Sequence, residues 1–600
     1  MKRISVLLAL SLALALPAAA DDIAQMSQDD AQWIMPAKNY AQTRFSGLKQ
    51  INNANANALR VAWTFSVGSA HGQEAAPIVV GDTMYVVGAY PNELFALDAT
   101  TGDLKWKYSP RVDPSSQGVA CCDVVNRGEV YDGGKIFYNT LDDHTVAVDA
   151  RTGKEVWAVK LGEITKGMTL TMAPLAADGK IFVGNSGGEM GVRGWVTALD
   201  ENTGKIVWRA YSVGPDKDVL IGPRFHPYYA SGKGKDLGVT TWPPGRWQAG
   251  GGPVWGWISY DPKTNLIFYG TGNPGPWNSN QREGDNKWTT TIFARDADTG
   301  EAVWADQLNP HDLYDYDEIN ENLLLDLPIG GKPTPVLVHP GRDGFMFVID
   351  RRTGQIYSAD KYDTQTSIAR FDLRTGRPVM NPALTPALGK TVTDVCPASP
   401  GAKDWQPTAW SPVTHLLYIP HQHLCMDFRT NQAAYIPGTP YVGATVDMYA
   451  GPGRYRGAFD AWDPVKRRTV WSIHEKFPVW TGTMVTAGNI AVYGTLDRWF
   501  KVVDATDGKL LYEFHAPSGF VGQPITYRGS DGNQYIAMLS GVGGWVGALA
   551  NAAIDPQVRN GALGYTGAVS DLPAYTSGGS TLLVFSLPHP QPIPNARPKG

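Results

Sequence analysis

Apolar residues along this chain come in short runs broken by a recurring polar turn, not in the three-to-four-residue rhythm that marks a helix face. The first copy runs Ala96-Leu97-Asp98-Ala99-Thr100-Thr101-Gly102 and ends at Trp106. The pattern returns as Ala147-Val148-Asp149 with Thr152-Gly153 and Trp157, as Ala198-Leu199-Asp200 with Thr203-Gly204 and Trp208, and as Ala294-Arg295-Asp296 with Thr299-Gly300 and Trp304. Weaker copies are Asp350 with Thr353-Gly354 and Tyr357, Asp463 with Trp471, and Asp504 with Gly508 and Tyr512. Each reads as strand, hairpin turn, strand: Asp caps the turn, Gly takes the positive φ, and the aromatic falls on the returning strand.

Asp98, Asp149 and Asp200 lie 51 residues apart, and Asp296 to Asp350 is 54. A period near fifty fits a four-stranded propeller blade. With 66 glycines, 20 tryptophans and no sustained helical periodicity, the chain is expected to be all-β. Allowing for the long intervals from Asp200 to Asp296 and from Asp350 to Asp463, its length holds about eight blades, an eight-bladed β-propeller. A radial repeat lets residues 21–600 form one domain although a single core stops growing near ~250–300 residues. The repeat tryptophans are packing residues in this reading.

The start of the chain departs from the pattern. Met1-Lys2-Arg3, an apolar run from Ile4 to Leu16 and then Pro17-Ala18-Ala19-Ala20-Asp21 read as a secretory signal peptide over residues 1–20, cleaved after Ala20, with export to the periplasm. No later stretch approaches the ~20 apolar residues of a membrane span. Without Lys2 and Arg3 the chain has 57 acidic against 50 basic residues and no basic block, which argues against nucleic acid or an anionic membrane as partner. There is no Cys-x-x-Cys-His, hence no attached c-type haem, so electrons handled here must leave through another protein.

Four cysteines allow two disulfides in three connectivities. Cys121 and Cys122 are adjacent, with α-carbons ~3.8 Å apart, below the usual span of a disulfide, so bonding them to each other implies strain; the ordinary alternative is two long-range bridges to Cys396 and Cys425. The stretch His311-Asp312-Leu313-Tyr314-Asp315-Tyr316-Asp317 holds two carboxylates one residue apart. If extended, it projects Asp315 and Asp317 to one side, where they repel unless a cation sits between them.

Taken together, the repeat spacing, Cys121-Cys122-Asp123-Val124-Val125-Asn126-Arg127-Gly128, Ser186-Gly187-Gly188-Glu189, Gly250-Gly251-Gly252-Pro253-Val254-Trp255 and the Asp315 segment resemble the eight-bladed propeller quinoproteins with tryptophan-docking repeats, the methanol and ethanol dehydrogenases that use pyrroloquinoline quinone, over essentially the whole mature chain. Propellers without enzymatic activity carry similar repeats, so the site residues decide. The resemblance implies a vicinal Cys121–Cys122 disulfide against one face of the quinone, a Cys396–Cys425 bridge, and Trp255 against the other face. It implies Glu74, Arg127, Thr171 and Ser186 around the ring's edge, with Gly187 and Gly188 beside them, and Asp404, Trp405, Trp480 and Trp545 about the cleft. Arg127 is suited by its guanidinium to a carboxylate; Glu74 is odd beside an anionic cofactor unless Arg127 or a ring donor bonds it. Asp404 stands where the family often has Asn, and as an acceptor it must be protonated, bonded to a donor or turned away. Trp257 is read as core.

Glu189, Asn273 and Asp315 are the implied metal ligands, all oxygen donors suited to a hard cation. Calcium-using relatives generally have alanine at the position of Asp317. The second aspartate marks the lanthanide-dependent type, where a trivalent ion favours more anionic oxygen. The implied reaction is oxidation of a small primary alcohol, ethanol or another short-chain alcohol or methanol, to the aldehyde, with Asp315 as base, Arg342 bonding the cofactor oxygens and steadying Asp315, and a soluble c-type cytochrome as electron acceptor. Two readings compete, a calcium-dependent dehydrogenase and a non-catalytic scaffold. Oligomeric state stays open, a homodimer included.

Overall fold

A computed structural model of the chain describes residues 23–551 and 554–588; the expected signal peptide lies outside the described residues. The fold is all-β with a few short helices. Among the described residues, seven antiparallel sheets have four strands, and an eighth sheet has five, its edge strand Phe45–Ser46 pairing parallel to Met484–Thr486. A typical sheet runs Ile78–Val80, Thr83–Val87, Leu94–Asp98, Leu104–Tyr108, each strand beside the next. One sheet joins the two ends of the chain, because Arg60–Ser66 pairs with Thr581–Ser586. The interval between Asp350 and Asp463 holds additional strands, Ile368–Asp372 with Arg377–Met380, and Thr391–Val395 with Leu424–Thr430 and Ala444–Ala450. Cys396 and Cys425 are disulfide-bonded beside these last strands. No helix among the described residues is long and apolar enough to cross a membrane.

The repeated turn forms as its sequence predicts. Asp149 accepts the backbone N–H and the hydroxyl of Thr152, both at 2.7 Å, while Gly153 takes φ +70° and donates to the Asp149 carbonyl at 2.9 Å. The repeat tryptophan then does something the local pattern does not show. Trp106 lies on Gly153, the turn glycine of the following sheet, so closely that a Cβ there would stand 2.7 Å from the indole. Trp157 covers Gly204, Trp208 covers Gly300, Trp304 covers Gly354 and Trp471 covers Gly508 in the same way. The indole N–H groups of Trp106, Trp157, Trp208 and Trp304 donate across the same junctions, to the carbonyls of Ala150, Glu201, Ala297 and Arg351 at 3.0–3.1 Å. Within its own sheet each of these four tryptophans faces an alanine, Ala96, Ala147, Ala198 or Ala294, and a β-bulge follows. A small partner leaves room for the ring, and the bulge turns it toward the next sheet.

A strap at the start of the described chain ties the sheets from another side. The carbonyls of Ala31, Trp33, Ile34, Tyr40, Ala41, Thr43 and Arg44 accept N–H groups from Arg528, Val79, Tyr131, Tyr260, Leu324, Trp410 and Val485. Those donors sit on the edge strands of seven sheets, the Val485 strand being an edge apart from the strap's own Phe45–Ser46. After Arg528, on the sheet that joins the chain ends, the strap meets them in chain order. Residues 31–46 span at most ~50 Å at full extension, so these edge strands converge on a narrow centre.

The glycine at the docking turn has a testable consequence. Gly153→Ala places a Cβ against Trp106 in a left-handed residue, whereas Gly134, at φ +79°, has nothing within 4 Å of that position. Gly134→Ala therefore carries only the left-handed penalty of about 1–2 kcal/mol, and Gly153→Ala adds the steric one. Thermal unfolding should show the larger loss at Gly153, and equal losses would refute the docking role.

Candidate active site

Asp315 and Asp317 lie in the irregular stretch between the strands Ala302–Gln307 and Leu323–Ile329. The stretch is not extended there: Asp315 has φ +73°, so simple alternation of side chains does not describe the pair. Asp312 holds the turn instead. Its carboxylate accepts the backbone N–H groups of Tyr314 at 3.2 Å, Asp315 at 2.9 Å and Tyr316 at 3.1 Å. Arg282, buried and bonded to the carbonyls of Pro276, Trp277 and Asp312, ties this turn to the loop that carries Asn273.

Both carboxylates reach one guanidinium. Arg342 Nη1 is 3.1 Å from Asp315 Oδ2, and Nη2 is 3.5 Å from Asp317 Oδ2 and 3.1 Å from Asp404 Oδ2. Asp404 Oδ1 in addition accepts the backbone N–H of Trp405 at 2.7 Å. The problem of an acceptor-only side chain at position 404 is thus resolved by two donors. Asp317 accepts the Trp255 indole N–H at 3.0 Å on Oδ2 and the Asn273 backbone N–H on Oδ1. Asn273 Oδ1 and Asp315 Oδ1 are buried without a donor. Gly188, beside Glu189, packs on Asn273: a Cβ there would lie 3.0 Å from Oδ1.

A second network forms the opposite wall. Arg127 Nη2 pairs with Glu74 Oε2 at 2.9 Å, Nη1 donates to Thr171 Oγ1 at 2.8 Å, and Thr171 lies 2.9 Å from Ser186 Oγ. Its guanidinium stands 4.8 Å from the Trp255 ring and 5.0 Å from the Trp405 ring. Glu74 Oε1 also accepts the Trp480 indole N–H at 3.4 Å. Gln523, held by strap residue Arg44, donates to the carbonyls of Glu74 and Arg127.

The expected Cys121–Cys122 disulfide is not formed in the structure. Both are free thiols, with sulfurs 2.8 Å apart against the ~2.05 Å of a bond. A bond between adjacent residues requires a distorted peptide between them. Hydrogen bonding to Cys122 and burial push the Cys121 thiol well above its ordinary range.

These residues line one cavity. Glu74, Cys121, Cys122, Arg127, Thr171, Ser186, Gly187, Glu189, Trp255, Asp315, Asp317, Arg342, Asp404, Trp405, Trp480 and Trp545 are all in its wall; Gly188 and Asn273 stand just behind it. Trp257 is core, donating its indole N–H to the Trp405 carbonyl at 2.7 Å. The sequence reading assigned no role to Ala120, Asp123, Val125, Thr169, Trp277 and Leu563, which also line the cavity. Ala120, Asp123 and Val125 could have been singled out by their place beside the cysteines; nothing local marks the other three.

Charge sets what this cavity can bind. Burial, reinforced by Asp317, Glu189 and Asp312, pushes Asp315 well above the carboxylate range against the pull of Arg342. Burial likewise pushes Asp317 up to about 7 and raises Glu189, and it lifts Glu74 to about 7 although Arg127 opposes it. Burial weakens the Arg342 cation, but Asp404, Asp317 and Asp315 outweigh that and hold it above its ordinary range. Among the described residues no three His, Cys, Asp or Glu side chains form a closed metal cage, and Arg342 takes the cationic place among the carboxylates. The orphaned acceptors Asn273 Oδ1 and Asp315 Oδ1 nevertheless fit a hard cation, while the orphaned donors Arg127 Nε, Arg342 Nε and Trp405 Nε1 fit an oxygen-rich planar ligand between indoles.

Residues 33–358 and 440–536 match the PQQ family model described as "Glucose/ethanol/alcohol dehydrogenase, beta-propeller domain". The chain belongs to this quinoprotein dehydrogenase family. A lanthanide-dependent methanol dehydrogenase of Methylacidiphilum fumariolicum (strain SolV) is 48% identical over 582 residues, 96% of this chain and 95% of the relative. Methanol dehydrogenase (cytochrome c) subunit 1 of Methylobacterium organophilum is 43% identical, over 94% of this chain and 92% of its own. The solved structure "Europium-containing methanol dehydrogenase" superposes with a TM-score of 0.93 at 48% identity, covering 94% of this chain and 99% of that one. As a member of the quinoprotein dehydrogenases the chain is an oxidoreductase built on a β-propeller domain.

The Asp312 turn can be tested separately from chemistry. Asp312→Ala leaves three N–H groups without their acceptor and should lower stability by about 3 kcal/mol. Asp312→Asn keeps Oδ1 for Tyr314 and Tyr316 and should recover about half of that. Denaturant unfolding of the two variants decides it, and an Asn variant no better than Ala would remove the assigned role.

Proposed function

We propose that this quinoprotein oxidises small primary alcohols, ethanol or other short-chain alcohols and methanol, to aldehydes with pyrroloquinoline quinone and one lanthanide ion. One observation carries the metal assignment. With the Arg127–Glu74 and His71–Asp123 pairs set apart, Glu189, Asp315, Asp317 and Asp404 line the cavity beside the Arg342 guanidinium, a formal excess of three negative charges. A divalent ion leaves part of that excess, and a trivalent ion cancels it. The lanthanide-dependent and europium-containing relatives support the same choice.

In this reading Glu189, Asn273, Asp315 and Asp317 hold the ion. Trp255 and the Cys121 and Cys122 sulfurs take the faces of the quinone, Glu74, Arg127, Thr171, Ser186 and the Gly187-Gly188 backbone its edge, and Asp404, Trp405, Trp480 and Trp545 the rest of its outline. When bound, the quinone and ion supply the two-electron acceptor and Lewis acid. The chain supplies the proton chemistry and the alignment. Asp315 Oδ1 has no donor of its own, so it is free to accept the alcohol hydroxyl proton. A bound cation counters the burial and like charges that raise Asp315 and keeps it ionised for that role. Arg342, bonded to the Asp315 carbonyl at 2.8 Å and to its carboxylate, fixes the base in place. The indoles and the buried wall exclude water from the reacting alcohol.

The wider assignments follow. Seven edge strands meeting one short strap, and the chain ends sharing a sheet, support a closed ring of eight blades over residues 21–600. Residues 1–20 act as an export signal, which sets the enzyme in the periplasm. Its electrons pass to a soluble c-type cytochrome, as the cytochrome c designation of the methanol dehydrogenase relative suggests.

Apoenzyme reconstituted with quinone and either lanthanum or calcium, assayed on methanol, ethanol and a longer alcohol, tests cofactor, metal and substrate at once. Turnover should appear with lanthanum and fall at least tenfold with calcium; equal turnover with both would reject the lanthanide assignment. Asp317→Ala should remove the lanthanum advantage without unfolding the protein. Asp315→Asn should lower turnover about a thousandfold, in the range of a lost general base, while quinone stays bound, and near-normal turnover would exclude it as the base.

A further inference from the structure

Asp123 has no part in the metal or edge contacts above, yet three pieces of the cavity wall meet on its carboxylate. Oδ2 accepts the backbone N–H of Gly544 at 2.9 Å and lies 3.0 Å from His71 Nδ1; Oδ1 accepts the N–H of Val124 at 2.8 Å. Gly544 opens the helix Gly544–Asn551, and Trp545, its second residue, lines the cavity. His71 precedes the segment that carries Glu74, and Asp123 itself follows Cys121 and Cys122.

The joint is too tight for side chains. A Cβ on Gly543 would stand 2.2 Å from Gly72 N and 2.8 Å from Asp123 Oδ2, and one on Gly544 would stand 2.3 Å from Glu74 Oε1. Asp123 takes φ +79°, the left-handed region that aspartate tolerates better than most residues with a side chain. Its side chain is 13% exposed, so the Gly544 bond is largely shielded from water. A carboxylate on the first N–H of a helix is favoured both as a charge-assisted hydrogen bond and by the helix dipole. His71, drawn toward its protonated form by its hydrogen bond to Asp123, anchors the same oxygen from the outer side.

We propose that Asp123 is a positioning residue that clamps the Trp545 helix over the cavity, so that quinone and alcohol are held behind Trp545. Neither reacts with Asp123; the clamp acts through the helix. The proposal rests on the quinone reading of the cavity, and its test separates the two. Hydrogen exchange of residues 544–551 in the apoprotein reads the clamp with no cofactor present. Exchange there should rise about tenfold in Asp123→Ala, the factor one such bond carries, while the sheet strands keep their protection. Holoenzyme passed through gel filtration and diluted then gives the quinone loss rate from its absorbance.

Asp123→Ala should lose quinone about tenfold faster and raise the alcohol KM about tenfold with kcat within about twofold. Asp123→Asn, which keeps an acceptor for Gly544, should restore both to within about threefold of wild type. Unchanged exchange over 544–551, or an Asn variant as impaired as Ala, overturns the clamp. If the helix loosens and wild type binds no quinone, the clamp's link to cofactor retention and the quinone reading fall together. If wild type retains quinone and Asp123→Ala retains it equally, only the clamp falls.

Discussion

An indole laid on a bare glycine joins one sheet to the next, and the site depends on that contact. The repeats of Asp98, Asp149, Asp200 and Asp296 each contribute a turn glycine to one neighbour and a tryptophan to the other, so these sheets are not positioned by their own hydrogen bonds alone. A positive φ admits glycine readily, and the absence of a Cβ lets the ring come within contact of the backbone. The same tryptophan donates its N–H across the junction, which fixes rotation as well as distance. A framework of sheets joined this way tolerates little relative movement. That rigidity is what allows side chains from Glu74 to Trp545, dispersed over most of the chain, to share one cavity.

Inside that frame, electrostatics works against folding. Buried carboxylates are unfavourable unless paired, and this cavity gathers more of them than its two guanidinium groups can neutralise. The structure responds locally: Asp404 and Asp317 use backbone and indole donors, Arg342 is shared among three carboxylates, and Glu74 is matched to Arg127. What remains is an unmet demand for positive charge beside Asp315. A site that expects a resident cation has this character, since each unsatisfied acceptor lowers the stability of the empty form and strengthens binding of the ion.

Much of this was legible in the sequence, for identifiable reasons. The turn Asp and Gly carry their own local physics, so strand, turn and strand could be read directly, and the pairing of Cys396 with Cys425 came with the family resemblance. That the tryptophans dock between repeats came with the family resemblance and not from the local pattern, because a docking partner some fifty residues away leaves no local mark. Asp315 and Asp317 were expected on one side through strand alternation; they converge instead because Asp312 bends the turn and Arg342 draws both. The Asp404 difficulty also dissolved only in three dimensions, where Arg342 supplies the donor. The strap of residues 31–46 left no periodic signal at all, since its hydrogen bonds go to strands spread over most of the chain.

The orientation of Asp317 bears on how one residue can select a metal. Its two oxygens are occupied by donors that belong to the wall, the Asn273 backbone and the Trp255 indole, so the side chain is already fixed next to Asn273 and Asp315. A ligand fixed in advance loses little conformational entropy when the ion arrives. The hydrogen bonds it holds use lone pairs without removing its charge. An alanine in its place would give up that preset negative charge and also strand the indole N–H of Trp255, the ring assigned to a face of the quinone. In the proposed reading, metal choice and cofactor alignment are therefore coupled through this one side chain.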